Sequence, residues 1–561
     1  MKKLLELNLD DIKVGLSFYA KRTVIVYRGE QNQVRALKNI CRHQGGQFAA
    51  VDAHSCNLRC PNHGWQLDVS KMEYTNPSGG LKHVELPVEV SSTGVVSVFE
   101  LPQIKPWEVN LRPRTAIKAQ ELVMRFYSHA CMEIKAGSHT IFTDPWLEGP
   151  CCVVGWWLEH QPPADWLKSL VESSVIYISH NHSDHLHPHS LQLLAEKRRD
   201  NLFVVPAYQS RSVEIPLLNL GFTNVLPLPF GVWHELDEQT RLMILPDTTG
   251  RDDSGLLVEY KGHLVLNTVD CSNLNDGVLP ETVDVLLSPF SGASSGFPVC
   301  WEELYSEAKI KEIVDRNLHL SLKQFTDAVK QTKPKFAVPF AGYFRAAHPD
   351  DKRIAETNPK NSQAELGEQM SALFPEVQYW PPSAGATLDC ATGAVSGELD
   401  QERSLESYNF DRYLREVEDD ALFAPLQSLE GIRTYFLWAN FSANQVLHVI
   451  ETDNSFTTIV RQFMYDFLTQ EFVTERPSRK HQYSRMRVRS AAFRHVLRRG
   501  LPWEDISSGF QARFYREPDI YEFAFWDHFQ NRLPIYLPWD RKLDAGHAFD
   551  SKTDATRSTS L

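Results

Sequence analysis

Two groups of residues in this sequence have the types and spacing of metal ligands. The first is Cys41-Arg42-His43, followed after sixteen residues by Cys60-Pro61-Asn62-His63. Two thiolates and two neutral imidazoles can close a tetrahedral zinc site, and the same set can hold a [2Fe-2S] cluster with cysteines on one iron and histidines on the other. Each half runs into a glycine-containing turn, Gln44-Gly45-Gly46 and Gly64-Trp65, and both lie between β-type runs. That context favours the cluster over a zinc ribbon. A cluster of this kind moves single electrons and makes no bonds itself, so it requires a donor outside the protein and an acceptor within reach. The second group offers that acceptor. In VIYISHNHSDHLHPHS an apolar run ends at Ser179 and is followed by His180, His182, Asp184 and His185. On a loop leaving a buried strand, His180 and His182 can converge on one metal and Asp184 and His185 on a second. A chance histidine run, extended by His187 and His189, would not need the buried strand before it.

The elements that must position these groups follow from length and pattern. The chain has 561 residues, 42% hydrophobic and 23% charged, which suggests three or four domains and excludes wholesale disorder. A net charge of -13 and a pI near 5.9 argue against a basic nucleic-acid scaffold but leave room for a local basic pocket. Residues 1–105 alternate short apolar runs with Gly, Asn and Asp turns, the pattern of a small all-β domain. Pro102, Pro106 and Pro113 mark a linker. Residues 115–395 carry many β-branched runs with a few helical stretches, predicting an α/β sandwich. In residues 400–541, REVEDDALFAPLQSL, VRQFMYDFLTQEF and SRMRVRSAAFRHVLRRG predict a mostly helical region, and 542–561 reads as a disordered tail. The start MKKLLELNLDDIK is too acidic for a signal peptide, and no run reaches the ~18 apolar residues of a membrane span. A cytoplasmic protein with reduced thiols is expected from nine sparse cysteines.

The sequence around the ligands resembles known families. CPNHGWQLD is the form in which Rieske loops present their ligands, and HxHxDH is the signature of the metallo-β-lactamase fold. That fold commonly places a metal-bridging carboxylate at the end of a strand, here Asp270 after Leu264-Val-Leu-Asn-Thr-Val. Ile141-Phe-Thr-Asp144-Pro145-Trp146 resembles the turn of the branch that includes lactonases and N-acyl phospholipases, with His129 one strand earlier. Asp144 and His129 are expected to support the ligands or meet substrate. The plain alternative for Asp144 is a turn cap before Pro145. A Rieske domain followed by a metallo-β-lactamase domain is similar to the CMP-N-acetylneuraminate hydroxylase family. The likeness runs through NICRHQGG, CPNHGWQLDVS, HACMEIKAG, DPWLEGP, YISHNHSDHL, LNTVDCS, PFAGYF and PDIYEFAFWDHFQNRLP, in all three regions.

The resemblance implies a multidomain oxygenase with a Rieske cluster on Cys41, His43, Cys60 and His63. Iron, mononuclear or dinuclear, is implied on His180, His182, Asp184, His185 and Asp270. The reaction it implies inserts one atom of O2 into the N-acetyl methyl of a CMP-linked sialic acid. Electrons would come from NADH through a reductase and a carrier of the cytochrome b5 or ferredoxin type, with no nucleic acid or membrane as partner. Two usual histidines are missing: PDTTGRDDSG offers only Asp247, Asp252 and Asp253, and PFAGYF has Phe340 where related hydrolases often have His. Asp253 and His348 are the candidate replacements, and a carboxylate-rich set suits iron better than zinc. Phosphate, carboxylate and cytosine call for basic and aromatic residues, with Lys352, Arg353, Lys360, Trp156, Trp157, Tyr343 and residues 291–297 as candidates. The stretch Arg476 to Arg499 is either a carrier-docking face or a solvated helix. Rival readings are a similar oxygenase acting on another small molecule, a metal-dependent hydrolase with a redox-sensing Rieske domain, and a non-catalytic electron-transfer module.

Overall fold

The structure, a computed structural model, describes residues 3–39, 47–51, 56–59, 66–76, 83, 85–100, 109–115, 121–397, 409–534 and 537–539. Cys41, His43, Cys60 and His63, most of the 102–113 stretch and the 542–561 tail lie outside them. Among the described residues the first region is β apart from a single 3-10 turn at Leu9–Asp11, as its short apolar runs predict. A three-stranded antiparallel sheet joins Lys3–Asn8, Val95–Phe99 and Val88–Val90. A second joins Gly15–Tyr19, Val24–Arg28 and Val34–Lys38. A four-stranded sheet, Ala49–Ala50, Asn57–Arg59, Gln66–Asp68 and Glu73–Asn76, brackets the second Cys-His segment.

The central region is a two-sheet sandwich. Its eight-stranded sheet runs in the order Val225–Leu228, Phe203–Pro206, Val175–Tyr177, His139–Thr143, Cys131–Ala136, Leu122–Ser128, Thr387–Asp389 and Val395–Ser396. The seven-stranded sheet runs His234–Glu235, Thr240–Pro246, Ser254–Tyr260, His263–Asn267, Val285–Pro289, Phe336–Phe340 and Gln378–Tyr379. The inner faces close one core that includes Met124, Ile134, Leu256, Leu266 and Val338. Strands buried on both faces, such as Phe336–Phe340, read as continuous apolar runs and lie parallel to their neighbours. The 26-residue helix Glu307–Thr332 makes the crossover between two of them, and Ser306 accepts a hydrogen bond from the amide of Lys309 at its start.

Residues 410–531 correct the expectation of a mostly helical region. They form helices at Phe410–Ala421, Leu429–Ala439, Ser490–Arg499 and Phe523–Asn531, and also a five-stranded sheet. Its order is Glu471–Val473, Ile459–Asp466, Gln445–Thr452, Gln482–Arg489 and Ala512–Glu517. Of the runs read as helices, VRQFMYDFLTQEF is largely strand, whereas SRMRVRSAAFRHVLRRG is strand only up to Arg489 and helix from Ser490 to Arg499, as expected there. In Ile459–Asp466, Phe463 and Tyr465 are buried alternately, and in Gln482–Arg489 buried Met486 and Val488 alternate with Arg485 and Arg487. Aromatic and β-branched residues at period two won over a coincident helical spacing.

This third region shares a core with the central one. Trp146, Trp157, Val299 and Phe344 pack in one cluster with Tyr413, Phe436, Phe493, Trp503 and Phe529. The backbones close in at the same seam: a Cβ on Gly155 would overlap the Gly509 carbonyl, and one on Gly296 the Ser507 carbonyl. The first region touches the central one at helix Glu214–Asn219, whose Leu218 packs against the core formed by Ile25, Leu58, Leu67 and Tyr74. No described helix is long and apolar enough to cross a membrane.

Candidate functional site

Ends of strands from both sheets meet at one edge of the sandwich. The strand Val175–Tyr177 delivers His180, His182, Asp184 and His185. Asp144 follows the strand His139–Thr143, Asp270 follows His263–Asn267, and Asp253 precedes Ser254–Tyr260. His129 sits in the turn between Leu122–Ser128 and Cys131–Ala136. His129, Asp144 and Val269 hold positive φ angles of 33°, 35° and 46°. Non-glycine residues take that conformation at a cost, and such strain concentrates at functional sites.

Three overlapping sets of donors lie within reach of a common ion: His180, His182 and Asp253; His180, His185 and Asp270; His129, Asp184 and His185. Nε2 of His180 is 2.8 Å from Nδ1 of His182 and 3.9 Å from Asp253. Nε2 of His129 is 3.1 Å from Asp184. His185 is oriented from behind: its Nδ1 donates to Asp144 at 3.0 Å, and Asp144 also accepts from the amide and the hydroxyl of Ser179, each at 2.8 Å. Nε2 of His185 lies 3.4 Å from an oxygen of both Asp184 and Asp270, yet is aligned for a hydrogen bond with neither and is fully buried. An orphaned imidazole nitrogen facing two carboxylates is what a cation seat looks like, so these residues fit a metal.

The electrostatics agree. Burial, with the neighbouring His185 and His182, pushes His180 well below the usual imidazole range and keeps it the neutral ligand a metal needs. Burial also lifts Asp253 to about 6, with Asp270 and Asp247 adding to it against His182 and Arg251. For His185, burial opposes the charge, but Asp184, Asp270 and Asp144 outweigh it and hold the group well above its ordinary value. Carboxylates thus outnumber compensating cations in a buried space.

Measured against the sequence, His180, His182, Asp184, His185, Asp270 and Asp253 are brought together. His348 is not: it lies beside Asp350 and Asp351 and near Arg489. His129, expected in a supporting role, stands among the donors. Phe340 is buried in the sandwich, and the adjacent Ala341 amide donates to the His129 carbonyl at 3.0 Å. His129 thus lies next to the strand end that carries Phe340, and it brings an imidazole to the donor cluster from a turn of the other sheet. Asp247 organises backbone instead, accepting from the amides of Thr249 and Ser272 at 2.6 Å each. Asp252 accepts from Ser210 and Ser212.

Most of the candidate substrate groups are engaged in packing. Trp156 stacks on Phe344 at 3.8 Å, Trp157 is buried, and the Tyr343 hydroxyl donates to the Pro339 carbonyl. Lys360 binds Glu159 and two carbonyls, and Arg353 pairs with Glu302. In the basic stretch, Arg476, Arg479, Arg485, Arg489, Arg494 and Arg499 each pair with a carboxylate of the chain.

At the other centre the described residues show how its loops are anchored. The Asn39 side chain donates to the Arg22 carbonyl at 2.8 Å and accepts from the Phe48 amide at 2.7 Å, tying together the two sides of the segment that carries Cys41 and His43. Pairing of Arg59 with Gln66 does the same for Cys60 and His63.

Residues 6–82 match the model of the Rieske [2Fe-2S] domain, and residues 123–341 that of a beta-lactamase superfamily domain. The cytidine monophosphate-N-acetylneuraminic acid hydroxylases of Xenopus laevis and Danio rerio are 37% and 38% identical to this chain. The alignments cover 96% and 95% of this chain and 94% and 95% of those proteins. The one from Asterias rubens is 38% identical over 93% of this chain and 82% of its own. The chain belongs to the cytidine monophosphate-N-acetylneuraminic acid hydroxylase family. The likeness to the hydroxylases extends through the third region, so the mixed sheet and helices that close the shared core belong to the family's common length. A Rieske domain and a central β-lactamase-like domain stand on the same hydroxylase chain as the carboxylate-rich cluster.

Proposed function

We propose that this chain is a monooxygenase that inserts one atom of O2 into the N-acetyl methyl of CMP-N-acetylneuraminate, giving the N-glycolyl form. The second oxygen atom leaves as water, which consumes two electrons and two protons. The electrons come from NADH through a reductase and a carrier of the cytochrome b5 or ferredoxin type, in the cytoplasm. Residues 1–105 act as the electron entry, with the cluster on Cys41, His43, Cys60 and His63. Residues 115–395 hold iron, and 400–541 close the site. The observation that carries this reading is the convergence of His180, His182 and Asp253 with His129, Asp184, His185 and Asp270 in a buried pocket of a chain that also has a Rieske domain.

Iron held there supplies the O2 chemistry that an unactivated C-H bond demands, and the Rieske cluster supplies the electrons. The chain's own residues do the rest. His180 and His182 with Asp253 form one pole of the seat, and His129, Asp184 and His185 form the other, with Asp270 between them. Asp144 fixes the tautomer of His185 by holding the proton on Nδ1, which leaves Nε2 free to ligate. Asp270, with 29% of its side chain exposed, and the partly buried His182 mark the open side, while His129, His180, Asp184, His185 and Asp253 are buried.

The test is incubation of reduced, iron-loaded protein with CMP-N-acetylneuraminate under labelled O2. The expected product is heavier by one oxygen derived from the gas. Zinc as the bound metal, with label entering only from water, would instead mark a hydrolase, and no product from this substrate with rapid O2-dependent oxidation of another would mark a different oxygenase.

A further inference from the structure

One basic side chain stands at the open edge of the metal pocket, beside the donor Asp253. Arg251 has 49% of its side chain exposed, with Nε 3.7 Å from the Asp253 carboxylate and an Nη donating to the Ser272 hydroxyl at 2.7 Å. Its charged neighbours are Asp253, Asp247, Glu504 and Asp270. The third region supplies the facing wall. Phe523 rests on Gly250, its ring 3.9 Å from where a Cβ would lie, and Tyr521 is near both Glu504 and Arg251. Ile520, Tyr521 and Phe523 are 56%, 55% and 43% exposed, an unusual run of bare apolar side chains. Their loop is braced from behind: Asp519 accepts from the Tyr305 hydroxyl at 2.8 Å and from Nε of Arg516 at 2.9 Å.

We propose that Arg251 binds an anionic group of the nucleotide sugar at the mouth of the iron site, and that Tyr521 and Phe523 form the aromatic face against which its base or sugar lies. This rests on the oxygenase reading above. Three features support it. The charged neighbours of Arg251 are carboxylates, so it is the positive group an anionic substrate meets beside Asp253, and a guanidinium with N-H groups to spare pairs well with phosphate or carboxylate. Arg251 stands two residues from Asp253, so an anion held on it lies close to the iron seat. In N-acetylneuraminate the carboxylate-bearing carbon and the acetamido carbon are opposite each other across one sugar ring, so an acid end held on Arg251 keeps the methyl one ring width away. Exposed aromatic rings beside a cation suit a nucleobase or a sugar face.

The experiment uses the full chain with its iron and cluster, as wild type and as Arg251→Gln, Arg251→Lys and Phe523→Leu. Iron content, KM and kcat for CMP-N-acetylneuraminate, and inhibition by CMP and by free N-acetylneuraminate are measured for each. Loss of one charge-assisted contact is expected to raise KM roughly tenfold to a hundredfold in Arg251→Gln, with iron content held and partial recovery in Arg251→Lys. Weaker inhibition by CMP in Arg251→Gln assigns the contact to the phosphate, and weaker inhibition by N-acetylneuraminate assigns it to the carboxylate. Phe523→Leu, far from the donors in sequence, is expected to raise KM as well. An unchanged KM in both variants of an active enzyme overturns the inference while leaving the oxygenase reading intact, as does a loss of iron in Arg251→Gln with KM unaltered in the active fraction. If the wild type oxygenates nothing, calorimetric titration with CMP-N-acetylneuraminate still decides: binding lost in Arg251→Gln upholds the site, and equal binding or none in the wild type overturns it.

Discussion

The two nitrogens of His185 do different work, one fixed on Asp144 and the other turned toward Asp184 and Asp270. That division makes the pocket a seat with two poles, and single substitutions should read the poles separately. His182→Ala is expected to lower iron binding at the Asp253 pole and His129→Ala at the Asp184 pole, each abolishing oxygenation while the optical and EPR signature of the cluster persists. Metal analysis with spectroscopy checks this, and loss of the cluster signal in either variant would refute the separation. His182 was legible from spacing alone, because HxHxDH puts its donors on one loop. His129 was placed at the site by resemblance but in a supporting role, and its place among the donors was not legible, because the turn that carries it meets the loop only through the sandwich. His348 makes a different kind of prediction. Burial and the charge of Arg489 depress it to about 4 from an ordinary 6.5, against a smaller pull from Asp351 and Asp350. Its neutral form is the one that folds, accepting from the Asp350 amide. Above pH 6.5 the folded and unfolded chains are both neutral there; as pH falls toward 4 the unfolded chain takes up a proton first, and up to about 3 kcal/mol of stability is lost. His348→Gln should flatten the fall in stability across that window, as measured by denaturant unfolding at several pH values.

At the scale of elements, the seam between central and third regions depends on backbone meeting backbone. Gly155 and Gly509 have no room for a Cβ against each other's chain segments, and Cys152, Val153 and Val154 just before Gly155 all hold positive φ. Gly155→Ala should therefore cost about 1–3 kcal/mol, as other overpacked sites do, and appear as a lower thermal midpoint with the Rieske spectrum intact. An unchanged midpoint would mean that the loop relaxes freely. This seam also explains which elements sequence reading recovered. Apolar strands such as Val285–Pro289 announce themselves by unbroken runs, and Phe410–Ala421 does so by a buried stripe of Tyr413 and Val417. Ile459–Asp466 and Gln482–Arg489 did not, because in a short run large side chains three or four apart fit a helix face while those two apart fit alternate burial, and both spacings occur in each. Only pairing with Gln445–Thr452 decides between them. Among the substrate candidates, Trp156, Trp157 and Tyr343 are buried in packing, because aromatic side chains are as good at filling a core as at meeting a base, whereas Arg353 stays half exposed beside Glu302.

On the scale of the whole molecule, three sequence regions do not make three independent bodies. The cluster of Trp146, Trp157, Phe344, Phe436, Trp503 and Phe529 spans the boundary near residue 400, so a chain ending at residue 397 would bare one side of it. Such a truncation is expected to be insoluble or aggregated even though every candidate ligand is retained, and solubility and size-exclusion profiles check this. A monodisperse truncated protein with iron bound would show that the central sandwich stands alone. The shared core also sets an order of events during synthesis. All candidate ligands leave the ribosome before Phe436, Trp503 and Phe529, and before Tyr521 and Phe523 at the rim. A nascent chain therefore has its histidines and carboxylates made before the wall that faces them, and an ion that arrives at that stage meets the donors alone.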